Sequence, residues 1–332
     1  MAQMKYFYEL TISSSPHVHA PVTTQTLMRD ALIAMVPALL GAVYFFGFRA
    51  LTVTAVSILA CVFWEWAYCK VMKVNCKIYD LSAAVTGTLL AFVCPVTIPY
   101  WTIILGAFFA IVVVKMLFGG LGRNIVNPAL AGRAFMFSWP VLMSTWVKVG
   151  FENAASPFGA ADVVTAATPM ANMHQGLLPE SSIMACFWGN VGGCLGETSA
   201  VLLLIGFAYL LVRKVITARI PVSFIATVAV LTFLFPMGGQ PRVEWMLYQV
   251  FSGGLMLGAI FMASDYVTSP LTKLGQIVYG IGCGVLTVLI RYFGGYPEGV
   301  SYAILCMNCC VVLLDRIGRP AKFGAPKKEA AK

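Results

Sequence analysis

The chain has 332 residues, 60% of them hydrophobic and 11% charged, a balance far from that of soluble globular domains and expected of a protein that crosses a membrane repeatedly. A net charge of +9 would suit nucleic acid in a soluble protein, but here the basic residues fall in loops between apolar segments, where they set orientation, so no nucleic-acid partner is expected. The ten cysteines lie mostly within apolar segments without paired C-x-x-C units in polar loops, so neither a zinc framework nor a disulfide scaffold is visible and no metal site is expected.

Residues 1–27 lack an apolar core and a cleavage site, and read as a cytoplasmic arm; His17 and His19 alternate there without an acidic or thiol neighbour. A first apolar span is expected from Met28 to Phe48, with Pro37 inside it, and a second from Ala50 to Met72. The third, Asp80 to Val96, is short and meets Pro95 and Pro99, so it reads as an interrupted helix; the fourth runs from Tyr100 to Phe118. Asn127-Pro128 supplies an N-cap and first-turn proline for a fifth span to Trp146.

The one long polar break follows, and residues 149–182 are expected to form an extracytoplasmic loop between a first five-helix repeat (28–148) and a second (183–316). Within it Thr168 stands among small residues and directly before Pro169, which predicts an open turn with an accessible hydroxyl. Beyond Ile183–Val191, a glycine-rich entry at Gly192, Gly193 and Gly196 leads into a sixth span, Glu197 to Val212. The seventh is Ile220 to Phe235. The eighth, Trp245 to Ala263, carries Gly253, Gly254 and Gly258 and also reads as interrupted. The ninth (Leu271 to Tyr292) and tenth (Val300 to Leu314) precede a basic cytoplasmic tail, 317–332. On the tenth, Cys306, Cys309 and Cys310 share a helical face and read as small packing residues.

With both termini inside, eighteen Lys and Arg fall on the cytoplasmic side and four, Arg49, Lys148, Arg242 and Arg291, outside. Five spans per half would make the second repeat inverted, with the interrupted spans three and eight meeting near the midplane. The fold class expected is thus an all-α polytopic membrane protein of about ten helices in two inverted repeats.

Asp162, Thr165, Ala167 and Thr168 match the pattern Asp-x-x-(Ser/Thr)-Gly-Ala-(Thr/Ser), with Ala166 in place of the glycine; this resembles the acceptor on which a flavin transferase esterifies the phosphate of FMN to threonine. The runs Gly119 to Phe135, Gly193 to Ser199, Met262 to Pro270 and Gly294 to Val300 are similar to those of the D subunits of Rnf electron-transport complexes, over nearly the whole chain. The homologous B subunit of the Na+-translocating NADH:quinone reductase, Nqr, is the alternative, and a flavin-free solute channel of the same fold a further one. The resemblance implies a urea- or ammonium-channel-like fold in a bacterial cytoplasmic (inner) membrane. Such a protein would relay electrons between ferredoxin and NAD beside other membrane and peripheral Rnf subunits, with transport of Na+ or H+. The resemblance also implies FMN covalently on Thr168, matured by the transferase, and a second non-covalent flavin, riboflavin or FMN.

For the second flavin the loop Gly119 to Arg133 is the candidate, its glycines allowing close backbone approach and Asn124 and Asn127 offering amide donors and acceptors; a tight interhelical turn explains the same residues. The Gly193 entry offers backbone N–H groups to a phosphate or ribityl chain, against simple close packing of helices. Two carboxylates are candidates for ion coupling. Asp265 follows the interrupted eighth span beside Ser264, Thr268 and Ser269, or is simply satisfied by them; Glu65 lies near Lys70 and can reach the headgroups.

Overall fold

The computed structural model describes residues 22–74, 78–146, 168–197 and 199–318, and among these it contains helices and turns but no strand. Helix α1 (Thr24–Phe46) starts at Thr23, whose Oγ1 accepts the Thr26 N–H at 3.3 Å while Thr26 Oγ1 accepts the Thr23 N–H at 3.0 Å. Gly47, at φ 77°, is the only residue between α1 and α2 (Phe48–Met72), and its left-handed conformation reverses the chain without a Cβ clash. These two helices and α13 (Lys273–Phe293) are each long and apolar enough to cross a membrane unbroken.

Other apolar segments are shorter or broken. The third ends as α3 (Ser82–Phe92) and continues as buried, non-helical backbone through Pro95 to Pro99. Helix α4 (Tyr100–Met116) turns from α-helical to π-helical hydrogen bonding at Phe109. The expected fifth span divides into α5 (Pro128–Met136) and α6 (Pro140–Met143), because Pro140 has no N–H to continue the ladder. Two short helices, α7 (Pro169–His174) and α8 (Ile183–Trp188), precede α9 (Ala200–Val212) and α10 (Arg219–Leu234). The eighth segment is α11 (Arg242–Phe251) and α12 (Leu255–Met262), bent by 60° at residues 252–254, and α14 (Val300–Leu314) occupies the expected tenth. Among the described residues, three helices and the bent α11–α12 pair are thus long and apolar enough to cross, and the apolar helices at the other expected spans are shorter, of 17 residues or fewer.

Broken helices at membrane depth leave backbone groups that lipid cannot satisfy, and both breaks are plugged by a buried arginine. Arg49, near the start of α2, donates Nε to the Val96 carbonyl at 2.8 Å and also reaches Thr97 and Ile98. Arg291, near the end of α13, donates Nη1 to the Gln249 carbonyl at 2.6 Å and to its Oε1 at 2.9 Å, with Nη2 3.5 Å from the Ser252 carbonyl. These two residues are thus structural plugs and not loop charges. Lys115 and Arg133 are likewise buried.

The two halves meet along two helix pairs. Helix α1 packs on α9, where a Cβ at Gly206 would run into the Ala34 carbonyl, and α5 packs on α14. Leu40, Tyr44, Leu59, Phe63 and Val230 face outward as an apolar surface suited to hydrocarbon. Cys306, Cys309 and Cys310 are exposed on α14, so they do not serve as packing residues among the described part of the chain.

Candidate functional site

The sequence-derived candidates gather around two cavities. The first, of about 490 Å³ and partly open to solvent, is walled by Thr168 and Met170, by Gly192 and Gly193, by Phe251 to Gly253 at the bend between α11 and α12, and by Glu197 and Glu298. Thr168 and Gly193, far apart in sequence, thus open on one space. Thr168 is the N-cap of α7: its Oγ1 accepts the Ala171 N–H at 3.3 Å, because Pro169 at the first helical position leaves the cap to reach the next free donors. It is 9% exposed, so it stands at a cavity wall and not on the open turn expected. Asp162 and Thr165 lie outside the described residues.

The glycine-rich entry does not offer a row of free donors. The N–H groups of Leu195 and Gly196 are taken by the Cys94 and Phe92 carbonyls at 3.1 and 2.9 Å, and that of Glu197 by the Cys194 carbonyl at 3.2 Å. This pairing joins the end of α3 and the residues after it, 92–94, to the entry segment of the second half, 194–196. Helix α9 begins only at Ala200, with Ser199 as cap, so the expected anion site at its N-terminus reduces to Gly192 and Gly193 as open backbone on the cavity.

The floor of this cavity carries charge. Arg133, from the middle of α5, is 3% exposed; its Nη2 lies 2.6 Å from Glu298 Oε2, and its Nη1 lies 3.3 Å from Glu197 Oε1 and 2.8 Å from Ser301 Oγ on α14. Glu298 Oε1 also accepts the Gly254 N–H in a short hydrogen bond. Loop-charge reasoning puts Arg133 on the cytoplasmic side and leaves Glu197 only as a competitor for backbone donors, and both residues instead form this floor. The available signal is position: Arg133 falls five residues inside its own apolar span.

The second cavity, of about 790 Å³ and partly open to solvent, is lined by Leu27 and Met28 of α1, by Ser82, Thr86 and Leu89 of α3, by Lys115, Asn124 and Asn127, by Ile260 and Phe261 of α12, and by Ser264 and Asp265 beyond it. Here Asn124, Asn127 and Asp265 come together. Asn127 Oδ1 caps α5, accepting from Ala129 and Leu130 N–H at 3.0 and 3.4 Å, while its Nδ2 donates to the Met262 carbonyl at 3.3 Å. Asn124 Nδ2 donates to the Val126 carbonyl at 3.2 Å. Asp265 Oδ2 accepts from Thr268 Oγ1 at 3.0 Å, whereas Ser264 turns its hydroxyl back to the Ile260 carbonyl, so the three oxygens do not converge on one point.

Glu65 does not reach a headgroup surface. It is 4% exposed and paired with Lys115 Nζ at 2.8 Å, which also contacts Ser82 Oγ at 2.7 Å at the wall of the second cavity. Lys115 belongs to the π-helical turns of α4, a departure from regular helix that often accompanies a functional position.

The cavities sit at opposite ends of α9: Glu197 just before it lines the first and Leu210 near its end lines the second. Thirteen residues separate them, roughly 20 Å at the rise of a helix. Between them α5 and α14 face each other through polar side chains, Arg133 to Ser301 toward one cavity and Asn127 to Asn308 toward the other. With its carboxamide turned to satisfy both ends, Asn308 accepts the Asn127 N–H at 3.1 Å and donates to the Thr268 carbonyl at 3.1 Å.

The chain is similar to known proteins over nearly its whole length. The chain is 43% identical over 327 residues to the D subunit of the Na(+)-translocating ferredoxin:NAD(+) oxidoreductase complex of Acetobacterium woodii, covering 97% of this chain and 98% of that protein. It is 42% identical to the D subunit of the proton-translocating ferredoxin:NAD(+) oxidoreductase complex of Clostridium ljungdahlii, over 95% of this chain and 96% of the relative. Identity to the D subunit of the ion-translocating oxidoreductase complex of Aliivibrio salmonicida is 34%, over 95% and 99%. The model of the NQR2, RnfD, RnfE family matches residues 11–324, and the chain belongs to that family.

Proposed function

We propose that this chain is the D subunit of an Rnf-type ion-translocating ferredoxin:NAD oxidoreductase, carrying FMN as a phosphoester on Thr168 and a second, non-covalent flavin in the Asn124 cavity. The names and full-length coverage of the relatives support the first part. For the flavins, the observation that carries the reading is that Thr168, the acceptor-position residue, lines a cavity and not a featureless loop.

The residues around Thr168 fit such a group. Gly192, Gly193 and Gly253 keep that wall free of side chains, and at Gly253 (φ 69°) a Cβ would come within 3.1 Å of Met170 Cγ and 3.5 Å of Glu298 Oε1. Phe251, Pro169 and Pro297 supply flat apolar surface, and Ser252 a polar group. In the other cavity the apolar walls and the Asn124 and Asn127 carboxamides suit a neutral heterocycle and its polyol chain. FMN, when bound, supplies the electron-carrying chemistry; this chain's residues give it position and electrostatic surroundings.

The membrane reading follows from the same features. Removing buried Arg49, Lys115, Arg133 and Arg291 from the loop charges leaves sixteen basic residues on the proposed cytoplasmic side against two outside. That bias supports cytoplasmic termini in a bacterial inner membrane and an outward Thr168 cavity, within reach of an exported flavin transferase. Pairing of α1 with α9 and of α5 with α14 supports ten apolar segments in two inverted halves. Neither Na+ nor H+ is favoured, since the relatives named for each are almost equally similar.

The test is co-expression with a flavin transferase, followed by in-gel fluorescence and peptide mass spectrometry. The FMN mass is expected on the fragment containing Thr168 and is lost in Thr168→Ala. Covalent flavin surviving that substitution overturns the attachment site, and absence of flavin from the purified wild-type protein overturns the relay.

A further inference from the structure

We infer that Glu197 holds an exchangeable proton, shared with Glu298, so that the floor of the Thr168 cavity is a proton-binding site. The inference concerns side chains of this chain alone and stands whether or not Thr168 carries FMN.

The geometry begins with crowding. Cys194 Sγ and one carboxylate oxygen from each of Glu197 and Glu298 lie within 4.8 Å of one another, in a region where Glu197 is 8% exposed. Two carboxylates this close, largely out of water, repel strongly unless positive charge stands between them. Arg133 supplies one cation to both. Arg291, facing from α13, directs its bonded donors to Gln249 and the Ser252 carbonyl and so holds the bend, while its charge also acts on the pair, on Glu298 more than on Glu197. The neighbouring thiols are also committed as donors, Cys194 to the Val93 carbonyl at 3.3 Å and Cys94 to the Leu90 carbonyl at 3.1 Å. Both guanidiniums thus favour an ionised Glu298 over an ionised Glu197, and a proton on Glu197 removes the repulsion between the two carboxylates.

The same contacts say which carboxylate carries it. Glu298 accepts two donors suited to an ionised group, Arg133 Nη2 at 2.6 Å and the Gly254 N–H. Glu197 has Arg133 Nη1 at 3.3 Å, and that nitrogen lies closer to Ser301 Oγ, at 2.8 Å. The charge therefore belongs on Glu298 and the proton on Glu197.

A separate observation indicates traffic to this site. Ser252 lines the same cavity and is 2% exposed, yet its Oγ has no hydrogen-bond partner among the described residues. A buried hydroxyl left unpaired is costly, and one that both donates and accepts is suited to pass a proton between the cavity and the carboxylate pair.

Infrared difference spectroscopy of the full chain tests this, with 13C-glutamate labelling to select glutamate carboxyls. At neutral pH the wild type is expected to show the carbonyl stretch of a protonated glutamate, which shifts on labelling and is lost on alkalinisation. Glu197→Gln, which mimics the protonated form and retains the fold, should remove that band, while Glu244→Gln on the exposed surface should leave it. Should Glu197→Gln fail to assemble, Glu197→Asp is expected to keep the band at a shifted frequency. No protonated glutamate band in the wild type, a band unaffected by Glu197→Gln, or an unshifted band in Glu197→Asp overturns the inference. So does the opposite pattern, in which adding Na+ to a sodium-free sample perturbs carboxylate bands that Glu197→Gln abolishes, since that assigns the gap to a metal ion.

Discussion

The two cavities are built on opposite plans. Around Asn124 most polar side chains bond within their own segments, with one ion pair, Lys115 to Glu65, at the wall: Asn127 caps its own helix, Asn124 bonds two residues along, and Asp265 takes a hydroxyl three residues away. Around Thr168 the polar groups are charged and distant in sequence, since Arg133 meets Glu197 and Glu298 from 64 and 165 residues away. A wall whose polar groups are satisfied mostly within their own segments keeps its shape when a ligand leaves. A charged wall whose partners come from α5, the α9 entry and the loop before α14 depends on every element being in place, so the fold and the Thr168 site are coupled there.

The largest expected effect breaks that coupling. Arg133→Met leaves Glu298 buried and without its closest cation, and should cost roughly 3–5 kcal/mol, read as a fall in the unfolding midpoint of the purified protein or as failure to assemble. Combining it with Glu298→Gln removes the stranded charge, and the double variant should be more stable than Arg133→Met alone. Lys115→Met tests the corresponding ion pair at the second cavity, where Glu65 is the one carboxylate paired directly with the cation among the described residues. Its cost should sit at the lower end, about 3 kcal/mol, with partial recovery on adding Glu65→Gln. Equal losses for Arg133→Met and Lys115→Met would erase the distinction between the two sites.

A smaller effect separates local from long-range support. Asn127→Ala removes the cap of α5 and the bond to the Met262 carbonyl, together about 1–2 kcal/mol. Asn127→Asp keeps the cap acceptor but replaces the Nδ2 donor by an oxygen facing that carbonyl. It should therefore lose stability through the α12 contact alone, and hydrogen exchange should rise at Met262 without fraying α5.

These contrasts also explain what the sequence could reveal. The Asn127-Pro128 signal places the start of α5 correctly because capping is a matter of three consecutive residues, and α14 has the bounds its hydropathy suggests. The interrupted third and eighth segments are legible from Pro95, Pro99 and the Gly253-Gly254 pair. The charged floor is not. Hydropathy assigns a lone Arg or Lys to the nearest loop, so Arg49, Lys115, Arg133 and Arg291 count as topology signals, although each has a partner supplied by a remote element. The glycine-rich entry misleads for the same reason: its N–H groups look free until the carbonyls of 92–94, a hundred residues earlier, meet them.

The smallest effect on stability is expected at Thr168, and it is the one that separates a helix cap from an attachment site. As N-cap of a six-residue helix, Thr168 accepts a single bond from Ala171 N–H, so Thr168→Ala should cost about 1 kcal/mol. Thr168→Ser retains an acceptor oxygen at the same place on the backbone, and Ser is at least as good a cap as Thr, so its stability should match the wild type. If the hydroxyl is also the phosphoester acceptor, Thr168→Ser should keep covalent flavin on the same peptide. Thr168→Asn then completes the series, because its neutral carboxamide caps well without adding charge beside Glu197 and Glu298 and offers no hydroxyl to esterify. It should be as stable as the wild type and carry no covalent flavin. A fluorescent band in Thr168→Asn would leave Thr168 as a cap only, whereas its loss in a stably folded variant separates the chemistry of this residue from its part in the fold.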